Sequence, residues 1–251
     1  MRRDQISLQL YTVREETASD MPGTLREISD IGYPAVEFAG YGGLAPQDLK
    51  TILDDLGLRA SGVHVPLGSW ERSPGKVLVD THALGCAHAI LPSAPPERRG
   101  DEVSVAGLAE DLNRWGGLCR REGVALSYHN HDFEFAPLGT TTMWDLLVRE
   151  TDPEVVGLEL DLYWIKYAGT DPETVLRDVA DRVSLVHLKD MSPDETLSDL
   201  PVGEGTLPWN TLLQAADAAN VEWYIAEQDN PTDALEDVRT SLQHLHRLVS
   251  P

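Results

Sequence analysis

Eight short apolar runs recur along this chain at intervals averaging about 31 residues, with helical patterns between them. They are Ile6–Tyr11, Ala35–Phe38, Arg59–His64, His88–Leu91, Val124–His129, Val155–Asp161, Val183–His187 and Trp223–Glu227. This rhythm limits the fold more than any other feature, because a strand–helix unit takes about 30 residues and eight units fill a chain of 251 residues. The run ISLQL alternates, whereas VGLELDLYW and VSLVHL are apolar nearly throughout, as strands buried on both faces are. The expected architecture is α/β, one (β/α)8 barrel spanning residues 1–251 as a single domain. An open doubly wound sheet competes with it. Against that alternative, the first run is followed by Tyr11–Thr17 with no GxGxxG phosphate loop, and eight units exceed the usual five or six strands.

The helical patterns have recognisable ends. Asp20 is placed to cap a helix with Pro22 in its first turn, Leu25, Ile28 and Ile31 along one side and Gly32 at its close. Leu108, Leu112, Trp115 and Leu118 make a second stripe, closed by Gly123. Trp209, Leu212, Leu213 and Ala216 make a third, and Leu235, Val238, Leu242, Leu245 and Leu248 the last. The Pro-rich stretch Ser93–Gly100 reads as a loop between a strand and its helix, since the rhythm resumes after it.

Charge narrows the partners. With 20 Lys+Arg against 42 Asp+Glu the net charge is −22. Such a surface repels phosphate backbones and anionic lipid, so neither nucleic acid nor a membrane is an expected partner. No apolar run approaches the ~20 residues that span a bilayer, and Met-Arg-Arg-Asp-Gln leads into the first run with no signal-like stretch. Cys86 and Cys119 form neither a disulfide framework nor a CxxC pair and read as buried thiols. The expected placement is cytoplasmic, and a homo-oligomer is compatible with it.

The chemistry of such a barrel sits where its strands end. The first run ends Gln9-Leu10-Tyr11, the second Val36-Glu37-Phe38, the third Val63-His64 and the fifth Tyr128-His129-Asn130-His131. The sixth ends Glu159-Leu160-Asp161, the seventh continues His187-Leu188-Lys189, and the eighth ends Ala226-Glu227. One strand-end histidine is more often a hydrogen-bonded interior residue than a ligand. His129, Asp161, His187 and Glu227 arrive from four consecutive units, which packing alone does not explain. Imidazole and carboxylate hold divalent Mn, Co, Zn or Mg with coordination positions left open. His129 and His131 share a face, so either can be the ligand and the other an acid or base. Glu159 faces the interior a layer lower and reads as an ion-pair partner. Lys189 alternates away from His187 and reaches the site only if the strand has ended. His82, His88, His244 and His246 read as ordinary helix or surface residues.

With these residues in view, the chain resembles the xylose isomerase-like TIM barrels of the sugar phosphate isomerase/epimerase superfamily. The resemblance runs through SLQLYTVR, GYPAVEF, GVHVP, YHNHDFEF, LELDLYWIKYAGTDP, VHLKD, VGEGTLPW and IAEQD. The segments YHNHDFEF, YAGTDP, VHLKD and AEQD are also similar to inosose dehydratases. The resemblance implies one divalent metal, Mn2+ before Co2+, Mg2+ or Zn2+, held by His129, Asp161, His187 and Glu227. His129 stands where the superfamily more often has Glu, and Trp164 where it often has His, offering a stacking face to a sugar ring. Superfamily epimerases shuttle protons between two Glu, so His129 counts against simple two-Glu epimerisation, and the Tyr-His-Asn-His and Ala-Glu-Gln-Asp matches turn the expectation toward dehydration or elimination. Aldose–ketose isomerisation or keto-sugar 3-epimerisation is the alternative. A non-catalytic sugar-binding barrel and an abasic-site endonuclease rank below both, the latter needing three zinc ions and more ligands than can be placed here.

The expected reaction starts with proton removal next to the carbonyl of a keto-sugar or keto-cyclitol. In that reading His131, Glu227 and Lys189 carry catalysis, while Gln9, Tyr11, Glu37, His64 and Trp164 contact the substrate. Trp209 packs between helix and barrel.

Overall fold

The computed structural model describes residues 1–249. Eight parallel strands close into a barrel: β1 Ile6–Gln9, β2 Ala35–Phe38, β3 Arg59–His64, β4 His88–Leu91, β5 Ala125–His129, β6 Val156–Asp161, β7 Val183–Leu188 and β8 Trp223–Ala226. Each strand pairs with the next, and β8 returns to β1 with Leu8 opposite Ala226. That last pairing gives the expected barrel and excludes the open sheet. The helices between and after them are α1 Arg14–Ile31, α2 Pro46–Leu56, α3 Leu67–Arg72, α4 Pro74–Leu84, α5 Glu102–Arg121, α6 Met143–Glu150, α7 Leu162–Tyr167, α8 Pro172–Asp178, α9 Trp209–Ala218 and α10 Ala234–Leu248. Each strand is packed by the barrel interior on one face and by helices on the other, which is why β1, β2 and β4 are buried at every position.

Several ends differ from expectation by a residue or two. β1 stops at Gln9, because the amide of Thr12 turns back to the Gln9 carbonyl at 3.2 Å. β7 runs one residue further than expected, to Leu188. The cap at Asp20 is present: its backbone leaves the helix at φ −150°, ψ 85°, and its Oδ1 accepts the Gly23 N–H at 3.0 Å. A helical stretch from Arg14 runs into that kink, which no apolar stripe announces. Gly32 then ends α1 at φ 112°, a left-handed backbone that suits glycine. In α5, Leu108, Leu112, Trp115 and Cys119 are buried, whereas Leu118 is only half-buried; the stripe closes one residue later than expected. Both cysteines are free and buried, and burial pushes each thiol up to about 12. Among the described residues no helix is long and apolar enough to cross a membrane.

Two short ribbons decorate the rim, Pro137–Leu138 with Thr141–Thr142 after β5, and Asp190–Met191 with Asp199–Leu200 after β7. The second is organised by a buried carboxylate. Asp190 Oδ1 accepts the Met191 and Leu207 amides at 2.9 and 3.0 Å, and Oδ2 accepts the Gly203 amide at 2.9 Å and the Trp209 indole at 2.7 Å. Trp209 is thereby tied between α9 and the loop, the packing role expected of it. Asp190→Ala leaves three buried donors and the half-buried Gly203 amide without their acceptor, and a loss of about 3 kcal/mol of stability is expected. Urea titration checks it: an unchanged midpoint would mean the donors find other partners.

Candidate active site

The strand register brings polar side chains to one end of the barrel. Gln9 on β1 lies opposite Glu37 on β2, and its amide donates to Glu37 Oε2 at 2.8 Å. The same oxygen lies 2.7 Å from His187 Nε2. Gly62 on β3 makes this possible, since a Cβ there would overlap Glu37 Oε1. Glu159 on β6 is fully buried, with its Oε2 2.8 Å from His64 Nε2, 2.9 Å from His129 Nδ1 and 3.3 Å from His187 Nε2. On the other side of His187, Nδ1 lies 2.7 Å from Glu227 Oε2. The Lys189 ammonium, also buried, touches three carboxylates: Asp161 and Glu227 at 2.8 Å and Asp229 at 2.7 Å. Asp161 caps α7 by accepting the Trp164 N–H at 2.9 Å, and Asn130 Oδ1 accepts its backbone N–H at 3.1 Å.

Charge within this cluster follows from burial and neighbours. Burial lowers His64, but Glu37 and Glu159 outweigh it and hold the imidazole up at about 10. Burial opposes the charged form of His187 too, yet Glu159, Glu227 and Glu37 keep it well above the ordinary range. The same ion pairs overcome the effect of burial on Glu159 and Glu227, so both stay well below the usual carboxylate range. Lys189 is held well above its ordinary value against burial by Asp161, Glu227 and Asp229. Burial pushes His129 down, and pushes His131 down to about 2 with help from His129 and Lys189. His131 is therefore a neutral ring and, without substrate, a weak base.

Two groups of donor atoms lie within 4.8 Å of one another: His64, His129, Glu159 and His187, and Asp161, His187 and Glu227. His187 belongs to both, and His129 Nε2 is 3.9 Å from Asp161 Oδ2. The four ligands expected from strand ends thus adjoin but do not form one mutually close set. Glu159 is the reason: two residues below Asp161 on the same strand face, it reaches under the imidazoles and draws His129 and His64 toward itself. Its role as an ion-pair partner is the one expected of it. The set fits a divalent cation of intermediate hardness, mixing imidazole with carboxylate. Among the described residues, Glu37 Oε1, Glu159 Oε1 and His131 Nδ1 are buried without a hydrogen-bond partner.

Above these groups opens a chamber of about 200 Å³ whose lining includes Tyr11, His64, His129, His131, Glu227 and Asp229. Tyr11 and His64 sit where substrate contacts were expected. Gln9 and Glu37 do not: both are fully buried and bonded to each other below the chamber floor. Trp164 stands beside His131, ring centroids 5.8 Å apart, with the Lys189 Nζ 5.5 Å from its ring. Lys189 points inward because β7 ends at Leu188, so strand alternation no longer governs it.

Sequence reading missed three supports. Asn130 grips the Asp161 backbone. Asp229 pairs with Lys189, and burial with Glu227 nearby pushes it up to about 6. Glu134 accepts the Tyr128 hydroxyl at 2.6 Å and the His131 backbone N–H at 2.8 Å, and burial raises it to about 7. The signal for all three was their position within one to three residues of a named candidate.

The family described as xylose isomerase-like TIM barrel matches residues 25–248. The chain belongs to that family. An inosose dehydratase of Geobacillus kaustophilus is 28% identical over 192 residues, covering 68% of this chain and 62% of the relative. The chain spans less than two thirds of the length of the curated relatives it matches. A sugar phosphate isomerase/epimerase structure from Parabacteroides distasonis has a TM-score of 0.85 at 24% identity, covering 100% of this chain and 96% of that one. The structure of the IolI protein, which has a zinc atom bound, has a TM-score of 0.75 at 14% identity and covers 98% of both chains. At these identities the structures share the fold with this chain.

Proposed function

We propose that the protein is a divalent-metal-dependent enzyme that removes a proton next to the carbonyl of a keto-sugar or keto-cyclitol and completes a dehydration or elimination. The observation that carries this reading is the convergence of Asp161, His187 and Glu227 within 4.8 Å under a polar chamber of about 200 Å³, room for one sugar ring. Similarity to inosose dehydratases supports the lean toward dehydration. Asp161, His187 and Glu227, with His129 alongside, would hold the cation, Mn2+ before Co2+, Mg2+ or Zn2+. A cation there supplies positive charge opposite the oxygen on which negative charge develops.

The chain's own residues do the rest. His131, a neutral ring lining the chamber, takes the proton from the carbon beside the carbonyl, the anion that forms beside it raising the basicity that burial, His129 and Lys189 lower. Glu134 fixes its backbone and Trp164 its flank. The electron pair released forms the new carbon–carbon double bond as the hydroxyl on the next carbon departs with its own bonding pair and takes the proton now on His131 to leave as water. Lys189, kept charged by its three carboxylates, is paired with Glu227 and Asp229 of the chamber lining and adds positive charge beneath the anionic stage. Tyr11 and His64 contact the ring at its rim. A net charge of −22 leaves nucleic acid outside this reading.

Incubation with keto-sugars and inososes in D2O, with Mn2+ or Co2+ present and chelated before NMR, is the deciding experiment. Deuterium at the carbon next to the carbonyl together with loss of the adjacent hydroxyl is expected. No exchange of any carbon-bound proton across the panel would favour a non-catalytic sugar-binding barrel.

A further inference from the structure

Beside the polar chamber, and sharing His64 with it, lies a larger cavity of about 360 Å³. It opens on the same rim, between Gly40 and Tyr41 after β2, the end of β3, and helices α3 and α4. Its wall is mainly apolar, built by Tyr41, Val63, Val65, Pro66 and Val77. Val63, Val65 and Val77 are buried side chains whose exposed remnant faces this space. At its edge, Lys76 is already committed to Asp80, at 2.6 Å, while Arg72 enters no ion pair among the described residues.

The two spaces differ in what they can hold. A polyhydroxylated ring needs a partner for each hydroxyl it buries, and the smaller chamber offers imidazoles, carboxylates and a phenol. The larger one is lined over most of its area by apolar atoms, with Ser69, Ser73 and the edge groups Arg72, Lys76 and Asp80 as its polar fringe, so it favours an occupant that is mainly apolar. A planar guanidinium at the edge suits the face of an aromatic ring. His64 stands between the two, one ring nitrogen turned to Glu159.

We propose that this cavity is a second subsite that receives an aromatic ring carried as a substituent by the keto-sugar, so the substrate class is an aryl-substituted keto-sugar rather than a free cyclitol. The proposal rests on the keto-sugar reading for the occupant of the first chamber. A free cyclitol would fill the polar chamber and leave about 360 Å³ of apolar space to water. A joined aryl group would remove that surface from water and be held beside His64.

The test treats the two halves separately. 4-Nitrophenol and an inosose are titrated, alone and together, against the full chain with diamagnetic Mg2+ or Zn2+, followed by ligand-observed NMR. Both are expected to bind at once, with inter-ligand nuclear Overhauser effects between them. Val77→Trp and Ser69→Trp, which fill the cavity from its wall and from its mouth, are expected to weaken 4-nitrophenol at least tenfold while changing inosose affinity less than twofold. Absence of 4-nitrophenol binding to the unmodified protein, its displacement by the inosose, or its undiminished binding to both filled variants would overturn the subsite. Binding of 4-nitrophenol with no binding of any inosose would instead overturn the keto-sugar reading and leave the aromatic pocket standing. The unmodified protein decides the matter even if a filled variant does not fold.

Discussion

Alanine at both His187 and Glu227 is expected to remove bound divalent metal and to lower turnover of the keto-sugar by about a thousandfold. The pair supplies the two donors that converge with Asp161, and His187 also belongs to the second donor group. The double change therefore leaves Asp161 alone in the first group and takes one donor from the second, which keeps His64, His129 and Glu159. The same change leaves Lys189 and Glu159 with fewer opposite charges in a dry interior, which by itself destabilises. For that reason the isosteric Glu227→Gln accompanies it, keeping the volume while removing a ligand charge. Metal content by elemental mass spectrometry, before and after EDTA and reconstitution, reads the result directly. Unchanged metal in the double variant, or activity indifferent to EDTA, would remove the proposed site.

His131→Ala is expected to lower proton exchange into a bound keto-sugar by about 10² to 10⁴ while metal stays bound. The His131 ring lies outside both donor groups, stacks on Phe133 with centroids 5.6 Å apart, and lines the chamber. Its Nδ1 is buried without a hydrogen-bond partner among the described residues, so no neighbour there draws the ring into the donor cluster. His129 differs: its Nδ1 is engaged by Glu159 at 2.9 Å. The two histidines, interchangeable by spacing alone, are thus separated by what surrounds them. Deuterium exchange and metal content measured on the same preparation distinguish the roles. Loss of metal from the His131 variant would make it the strand-five ligand and pass the proton to His129 or Glu227.

Much of the fold was legible because its signals are local. An apolar run buried on both faces needs no knowledge of its neighbours, so β2 and β4 were placed to the residue; β3 was too, although Arg59 at its start is exposed. Asp20 could be read as a cap because a short carboxylate beside Pro22 and Gly23 reaches the free amide at the helix start. The helix before it could not, since Arg14–Ala18 carries no repeating apolar face of its own and is held by what it packs on. The candidate site divides in the same way. Strand-end residues announced themselves by being polar where an apolar run stops. Lys189 did not, because its direction depends on where β7 ends, and Glu134 did not, because its value lies in a hydrogen bond to the His131 backbone.

By itself the amino-acid sequence determined eight strand–helix units, the order in which they follow one another, and the rim to which His129, Asp161, His187 and Glu227 are delivered. Those are consequences of periodicity, and periodicity is written in consecutive residues. The tertiary structure alone decided that Glu159 reaches up to three imidazoles, that Gln9 and Glu37 lie beneath the chamber floor, and that an apolar cavity adjoins His64. Each of these depends on distances between side chains from different strands. Such distances are set by barrel closure and register, which no single stretch of the chain encodes.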